Sequence, residues 1–244
     1  MNFVKRGPPG FAPMYAAEAD GLAALRGAGV RAPEPHAHGV RGGEAFIEME
    51  RLGLGASADW TPLAHMLAGL HRNTGKRFGW ENDNWIGLSP QKNGWSDDWG
   101  AFWRERRLEP QLTMARSNGL SIDCAALVQQ LPVFFKDHRP QASLLHGDLW
   151  SGNIGFTREG PVVFDPAVYY GDREADLAMT ELFGGFPPEF YAAYAQAWPL
   201  DPGYSKRKDL YNLYHVLNHA NLYGGSYAAQ AARMITRLLA LAAS

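Results

Sequence analysis

The stretch LLHGDLWSGNIGF, Leu144 to Phe156, followed by PVVFD ending at Asp165, constrains this chain more than any other part of it. Its apolar runs are short and bounded by glycine and polar residues, so they read as strands around a loop. Set among them are His146, Asp148, Asn153 and Asp165. Asp and Asn favour turns, which would account for any one of these taken alone. Their spacing says more. Four residues separate Asp148 from Asn153, and Gly160-Pro161 supplies a hairpin-like return that would bring Asp165 beside them.

At 244 residues the chain can form one large domain or two small ones. With 46% apolar and 20% charged residues it can bury a core and is not a disordered chain. A formal charge of -2 gives no overall pull toward nucleic acid or an anionic membrane, so neither is expected as a partner. The lone Cys124 excludes an intramolecular disulfide, fits a reducing compartment, and reads as a small core residue. The opening MNFVKRGPPG lacks a signal-peptide apolar run, and nothing approaches the roughly 18 apolar residues of a membrane span. A cytoplasmic protein is the expectation.

Asn2–Lys5 reads as a short strand, 14–28 as a helix, the region near Ala37–Val40 as a strand, and Glu44–Glu50 as another. Arg51–Asp59, with its glycines and small residues, reads as a linker, dividing the chain into 1–52 and 53–244. A helix follows with Thr61 as N-cap and Pro62 at its first position. Cys124 to Phe135 looks helical up to the residue before Pro132, and Gln230–Ala243 closes the chain as a helix. RERR, Arg104 to Arg107, reads as a solvated helix face. The tryptophans between Phe78 and Trp103 read as core more than as a ligand stack. His215 and His219 share a helix face but lack the Glu of a zinc-binding H-E-x-x-H, so packing or a pocket role is expected.

The polar cluster has a chemistry. An amide oxygen and a carboxylate, Asn153 and Asp165, are what a hard cation such as Mg²⁺ accepts. The spare carboxylate, Asp148, can orient and deprotonate an attacking hydroxyl. Protein kinases divide the same labour among a catalytic-loop Asp, an Asn and a further Asp. Lys5 on the first strand and Glu18 on the following helix could form the phosphate-gripping ion pair of that machinery, and Glu50-Arg51-Leu52 ends the last small-lobe strand where backbone groups could meet an adenine.

LLHGDLWSGNIGF, VVFDPAVYYGDREADLAMTELFGGF and WSDDWGAFWRERRLEPQL together resemble the fructosamine kinase (ketosamine-3-kinase) family. The resemblance runs from Phe3 to about the end of the chain. It implies an α+β, protein-kinase-like two-lobed fold, related to aminoglycoside phosphotransferases. The N-lobe would be a small antiparallel sheet and the C-lobe mainly helical. It implies ATP and Mg²⁺ as cofactors, Asp148 as proton acceptor, and Asn153 and Asp165 on the metal. Lys5 and Glu18 become the nucleotide ion pair, and Glu50, Arg51 and Leu52 the adenine hinge. Trp150 would face the acceptor. His146 belongs with that acceptor side of the loop, although it reads primarily as a brace bonding the loop through its side chain. The substrate would be a ketosamine such as fructosamine or ribulosamine, free or on a glycated protein, phosphorylated on the sugar O3.

The family also carries two further strands and a glycine-rich turn ahead of the Lys strand, whereas here Lys5 is the fifth residue. The N-lobe is therefore expected to be truncated, by nature or by a start placed too far downstream. Poor nucleotide binding and a homodimer through the open strand edge would follow. Two other functions stand beside the leading one: a kinase of the same fold for an aminoglycoside or amino alcohol, and a non-catalytic nucleotide-binding scaffold.

Overall fold

The structure is a computed structural model that describes residues 2–243. Strand β1 (Asn2–Gly7) pairs antiparallel with β3 (Glu44–Glu50), placing Lys5 opposite Ile47. Strand β2 (Pro35–Arg41) pairs with the other edge of β3, so the order is β1-β3-β2. The β2–β3 turn is made by Gly42 and Gly43, both at positive φ, where a side chain would be strained. The central strand is the most apolar: Ala45, Ile47 and Met49 point into the core, while Phe46 is buried on the opposite face beneath the Arg41 guanidinium, 4.6 Å from its ring centre. Helix α1 (Ala12–Gly27), with Pro13 in its first turn, covers this sheet through Tyr15, Leu22 and Leu25.

Residues 51–59 form no regular element and lead into α2 (Trp60–His71). Next come β4 (Thr74–Gly75), the β5–β6 hairpin (Asn84–Ile86, Ser89–Gln91), α3 (Trp99–Phe102), a π-helical segment at Trp103–Leu108, α4 (Glu109–Ser117) and α5 (Ala125–Phe135). Strand β7 (Ala142–Leu145) then leads to the hairpin β8 (Ile154–Thr157) and β9 (Gly160–Val163), and to β10 (Tyr169–Gly171). Four helices close the chain: α6 (Glu174–Leu182), α7 (Pro188–Ala197), α8 (Tyr204–Tyr223) and α9 (Ser226–Ala242). Strands β10, β7 and β4 form a small antiparallel sheet at the centre of this larger, helical part. The architecture is α+β with two lobes.

Two apolar cores hold it. One lies within the large lobe, around Trp99, Phe102, Trp103, Tyr211 and Tyr214. The other crosses the linker: Leu22, Leu25, Ile47 and Met49 pack with Leu63, Leu67, Leu144, Leu149 and Val163. Each such large side chain contributes roughly 1.5–3 kcal/mol on burial, so the shared core ties the lobes together. Residues 51–59 carry the chain from the small part to the large one, and the core continues on both sides of them.

Three expectations need correction. Helix α2 starts at Trp60, ahead of Thr61, which therefore does not cap it. Helix α5 runs through Pro132 to Phe135, because Leu131 and Phe134 on either side are both buried and their burial outweighs the missing backbone donor. Finally, Arg107 is not on a solvated face. It is fully buried, its guanidinium 3.9 Å from the centre of the Tyr169 ring and 4.7 Å from that of Phe102, and it donates to Asn93 Oδ1 at 3.0 Å. Cys124 is buried as expected, and burial pushes its thiol up to about 11.

Candidate active site

Strand β7 delivers His146, Gly147 and Asp148 to the boundary between the lobes. Gly147 sits at φ 82°, and a Cβ there would lie 2.0 Å from the carbonyl oxygen of Ala167, so only glycine allows this close crossing. His146 is fully buried. Its Nε2 donates to the carbonyl of Phe164 at 3.0 Å, and its Nδ1 accepts the Asp148 N–H at 3.3 Å. One neutral imidazole thus clamps the loop to the residue before Asp165; burial lowers its pKa, which favours that neutral form. His146 has no surface to offer a substrate, and its place is that of a brace.

The loop is held from below by a residue that sequence reasoning assigned no role. Asp176, in α6, accepts the backbone N–H of His146 at 2.7 Å and of Gly147 at 2.8 Å. It also faces His71 Nε2 at 3.2 Å, whose Nδ1 accepts from Tyr194 Oη at 2.7 Å. Burial would raise the Asp176 pKa, but these bonds and the neighbouring histidines outweigh it and hold the carboxyl below its usual range. The only sequence signal was a carboxylate set among apolar residues in EADLAM, the pattern of a buried, paired charge.

Asn153 turns its Nδ2 back onto Asp148, donating to the main-chain oxygen at 2.8 Å and to Oδ2 at 3.1 Å. Its Oδ1 accepts nothing among the described residues and is left for a ligand. The β8–β9 hairpin returns the chain as anticipated, and Phe164 N–H bonds the Asn153 carbonyl at 3.0 Å. Asp165 follows at φ 56°, the one non-glycine residue at positive φ among those described. Strain of that kind, at the residue facing the cleft, is held by the bonds on either side of it.

From the small lobe, Lys5 Nζ bonds Glu18 Oε1 at 2.8 Å and also Asp165 Oδ1. Burial would lower the Lys5 pKa, but the two carboxylates outweigh it and raise it, so the ammonium stays charged. Helix α1 is fixed over the site by Trp80 Nε1, which donates to Asp20 at 2.8 Å, and by close approach of Gly21 to Pro166.

Lys5, Glu18, Asp148, Asn153, Asp165 and Trp150 line one open cleft of about 370 Å³. Burial, reinforced by the charges of Asp165 and Asp176, pushes the Asp148 carboxyl up to about 7 despite the Asn153 hydrogen bond. Asn153 Oδ1 and the carboxylate of Asp165 are both hard oxygen donors, so the residues present fit Mg²⁺. A larger cavity of 660 Å³, between α3 and α5, contains none of these residues.

The hinge residues lie apart from that cleft. The Glu50 carboxylate is taken by Arg31, whose guanidinium bonds both oxygens, and its N–H by the carbonyl of Glu34 at 2.8 Å. Its side chain is thus committed to structure. Arg51 is exposed, and the backbone of Leu52 bonds no group among the described residues, leaving it open to a ligand. Trp150 is 37% exposed and meets Phe183 edge-on at 6.2 Å.

Comparison with known proteins gives a consistent outcome. The family profile described as fructosamine kinase matches residues 1–241. A Synechocystis sp. protein provisionally called a ketoamine kinase is 47% identical over 93% of this chain and 79% of its own length. The chloroplastic protein-ribulosamine 3-kinase of Arabidopsis thaliana is 42% identical over 91% of this chain and 71% of its own. Among solved structures, a Haemophilus somnus protein provisionally called a fructosamine-3-kinase superposes with a TM-score of 0.92 at 33% identity, covering 98% of this chain and 83% of that one. An aminoglycoside 3'-phosphotransferase of type VIII matches with a TM-score of 0.52 at 17% identity, a likeness of fold alone.

Proposed function

Because the chain belongs to the fructosamine kinase family, we propose that it is a cytoplasmic phosphotransferase that moves the terminal phosphoryl group of ATP to O3 of a ketosamine, free or on a glycated protein. The observation that carries this reading is the convergence of Lys5, Glu18, Asp148, Asn153 and Asp165 on one cleft from both lobes.

In this reading Lys5, kept charged between Glu18 and Asp165, meets the nucleotide phosphates. The open backbone at Leu52 receives the adenine edge. Asn153 and Asp165 would hold Mg²⁺, which when bound supplies charge neutralisation on the phosphates. Asp148 accepts the proton of the sugar hydroxyl and aims that oxygen in line with the phosphorus. Its raised pKa suits a base working near neutrality, and the His146 clamp and Asp176 fix where it points. Trp150, two residues on, offers an aromatic face to the sugar or its amine.

The test is a phosphoryl-transfer assay with ATP and Mg²⁺ against fructoselysine, ribuloselysine and an aminoglycoside. Transfer to a ketoselysine is expected. Transfer to the aminoglycoside alone would replace the acceptor, and nucleotide binding without any transfer would leave a scaffold.

A further inference from the structure

Tyr223 is an aromatic residue with 68% of its surface exposed, and it lines the same cleft as Asp148. It is the last residue of α8, and Gly224 and Gly225, both at positive φ, fold α9 back beside it. That turn sets Tyr227 6.5 Å from Tyr223 and 5.1 Å from His219, ring centre to ring centre. His219 lies 4.7 Å from Phe183, which meets Trp150. A continuous file of rings therefore runs from beside the base out to the cleft mouth. His219 is fixed within it, its Nδ1 donating to the His215 carbonyl at 2.9 Å. Beside this file, the Gly87-Leu88 turn of the β5–β6 hairpin approaches Leu222 and presents Leu88, 61% exposed, to the same cleft.

Single exposed apolar residues mean little, but here Tyr223, Leu88 and Trp150 share one rim and one cleft. The carboxylates lining that cleft are Glu18, Asp148 and Asp165. Glu18 and Asp165 are bound to Lys5, and Asp148 is the base. A cationic group entering along the rim thus finds ring faces instead of a spare carboxylate, and ring faces attract ammonium groups. An aliphatic stem finds Leu88 and the same rings.

We propose that Tyr223, backed by His219 and Tyr227, is the specificity residue for the arm carried on the acceptor's amine, an aliphatic chain such as a lysine stem joined to a secondary ammonium. The inference rests on the ketosamine reading. A ketosamine without an arm would leave this subsite empty, while one on a lysine would lay its stem between Tyr223 and Leu88 with its ammonium against the rings.

The test compares, for wild type, Tyr223→Phe and Tyr223→Ala, the kcat/KM for a ketosyl-lysine with an acetylated α-amine and for the corresponding 1-amino-1-deoxyketose. Both acceptors carry the ammonium, so the preference reads the apolar cover over the stem; its loss should lower the preference of Tyr223→Ala for the lysine conjugate by about 3- to 10-fold, through KM. Tyr223→Phe should retain the preference, since the ring is kept. An unchanged preference in Tyr223→Ala would overturn the proposal, and so would an equal loss on both acceptors. A change of oligomeric state in light scattering on Tyr223→Ala would also overturn it, by making the ring a contact between copies. Wild-type protein that phosphorylates neither compound would instead overturn the ketosamine reading itself, and the subsite with it.

Discussion

Asp148 and Asp176 are placed in the same fold with opposite electrostatic consequences. An unperturbed aspartate titrates at about 3.9. Burial lifts Asp148 to about 7, so ionising it costs the folded state as pH rises from the unfolded value to the folded one. In metal-free protein with a chelator present, Asp148→Asn should therefore melt above wild type at pH 8, and the gap should close by about pH 4. A variant that melts lower at pH 8 would contradict this. Asp176 is held below its usual range, so its contribution is present above the unfolded pKa and is lost as pH falls through the folded one. Asp176→Asn turns an amide N–H toward one of two backbone N–H groups and should cost about 3 kcal/mol in denaturant unfolding at pH 7, less in acid. Asp148, Asn153 and Asp165 were legible from sequence because spacing along one loop and hairpin sets their proximity. Asp176 was not, because its partners are backbone N–H groups 29 and 30 positions away, which leave no side-chain trace, and His71, 105 positions away. Glu50 was placed at the hinge, but its Arg31 partner depended on how the β2–β3 pair meets the preceding coil.

At the scale of elements, the strands and helices of the small lobe were legible because alternation and helical spacing are clean there and Gly42-Gly43 marks the turn. The errors fell where tertiary packing overrides local preference. Proline disfavours the helix preceding it, yet α5 continues because two buried anchors flank an exposed Pro132. Pro132→Ala should then restore the bond to the Val128 carbonyl and stabilise the protein by about 1 kcal/mol or more, visible as a higher denaturant midpoint at unchanged slope. A lower midpoint would mean that Pro132 relieves strain. The π-helical turn at Trp103–Leu108 was equally hidden: RERR has the composition of a wet face, and it is the ring cage of Phe102, Tyr169 and Tyr214, together with acceptors on Lys92, Asn93 and Arg106, that makes a buried Arg107 tolerable.

On the scale of the whole molecule, a core shared across the linker makes the two lobes one folding unit while the cleft between them stays open. The outer edge of β1 pairs with no strand among the described residues, and Phe3 and Val4 are exposed on it. Such an edge accepts another strand, so this chain should dimerise in a concentration-dependent manner in light scattering, and Val4→Lys should shift it toward monomer. A monomer at all concentrations would contradict this. The central claim, that the cleft transfers phosphate to a ketosamine hydroxyl with Asp148 as base, is tested most directly by following the product with phosphorus–proton correlation NMR. Purified wild-type chain, ATP, Mg²⁺ and a ketosyl-lysine should give a phosphate coupled to the proton on sugar carbon 3. Asp148→Asn should form it about 10²- to 10⁴-fold more slowly while still binding nucleotide. A phosphate elsewhere on the acceptor, or an Asp148→Asn variant with wild-type turnover, would contradict it.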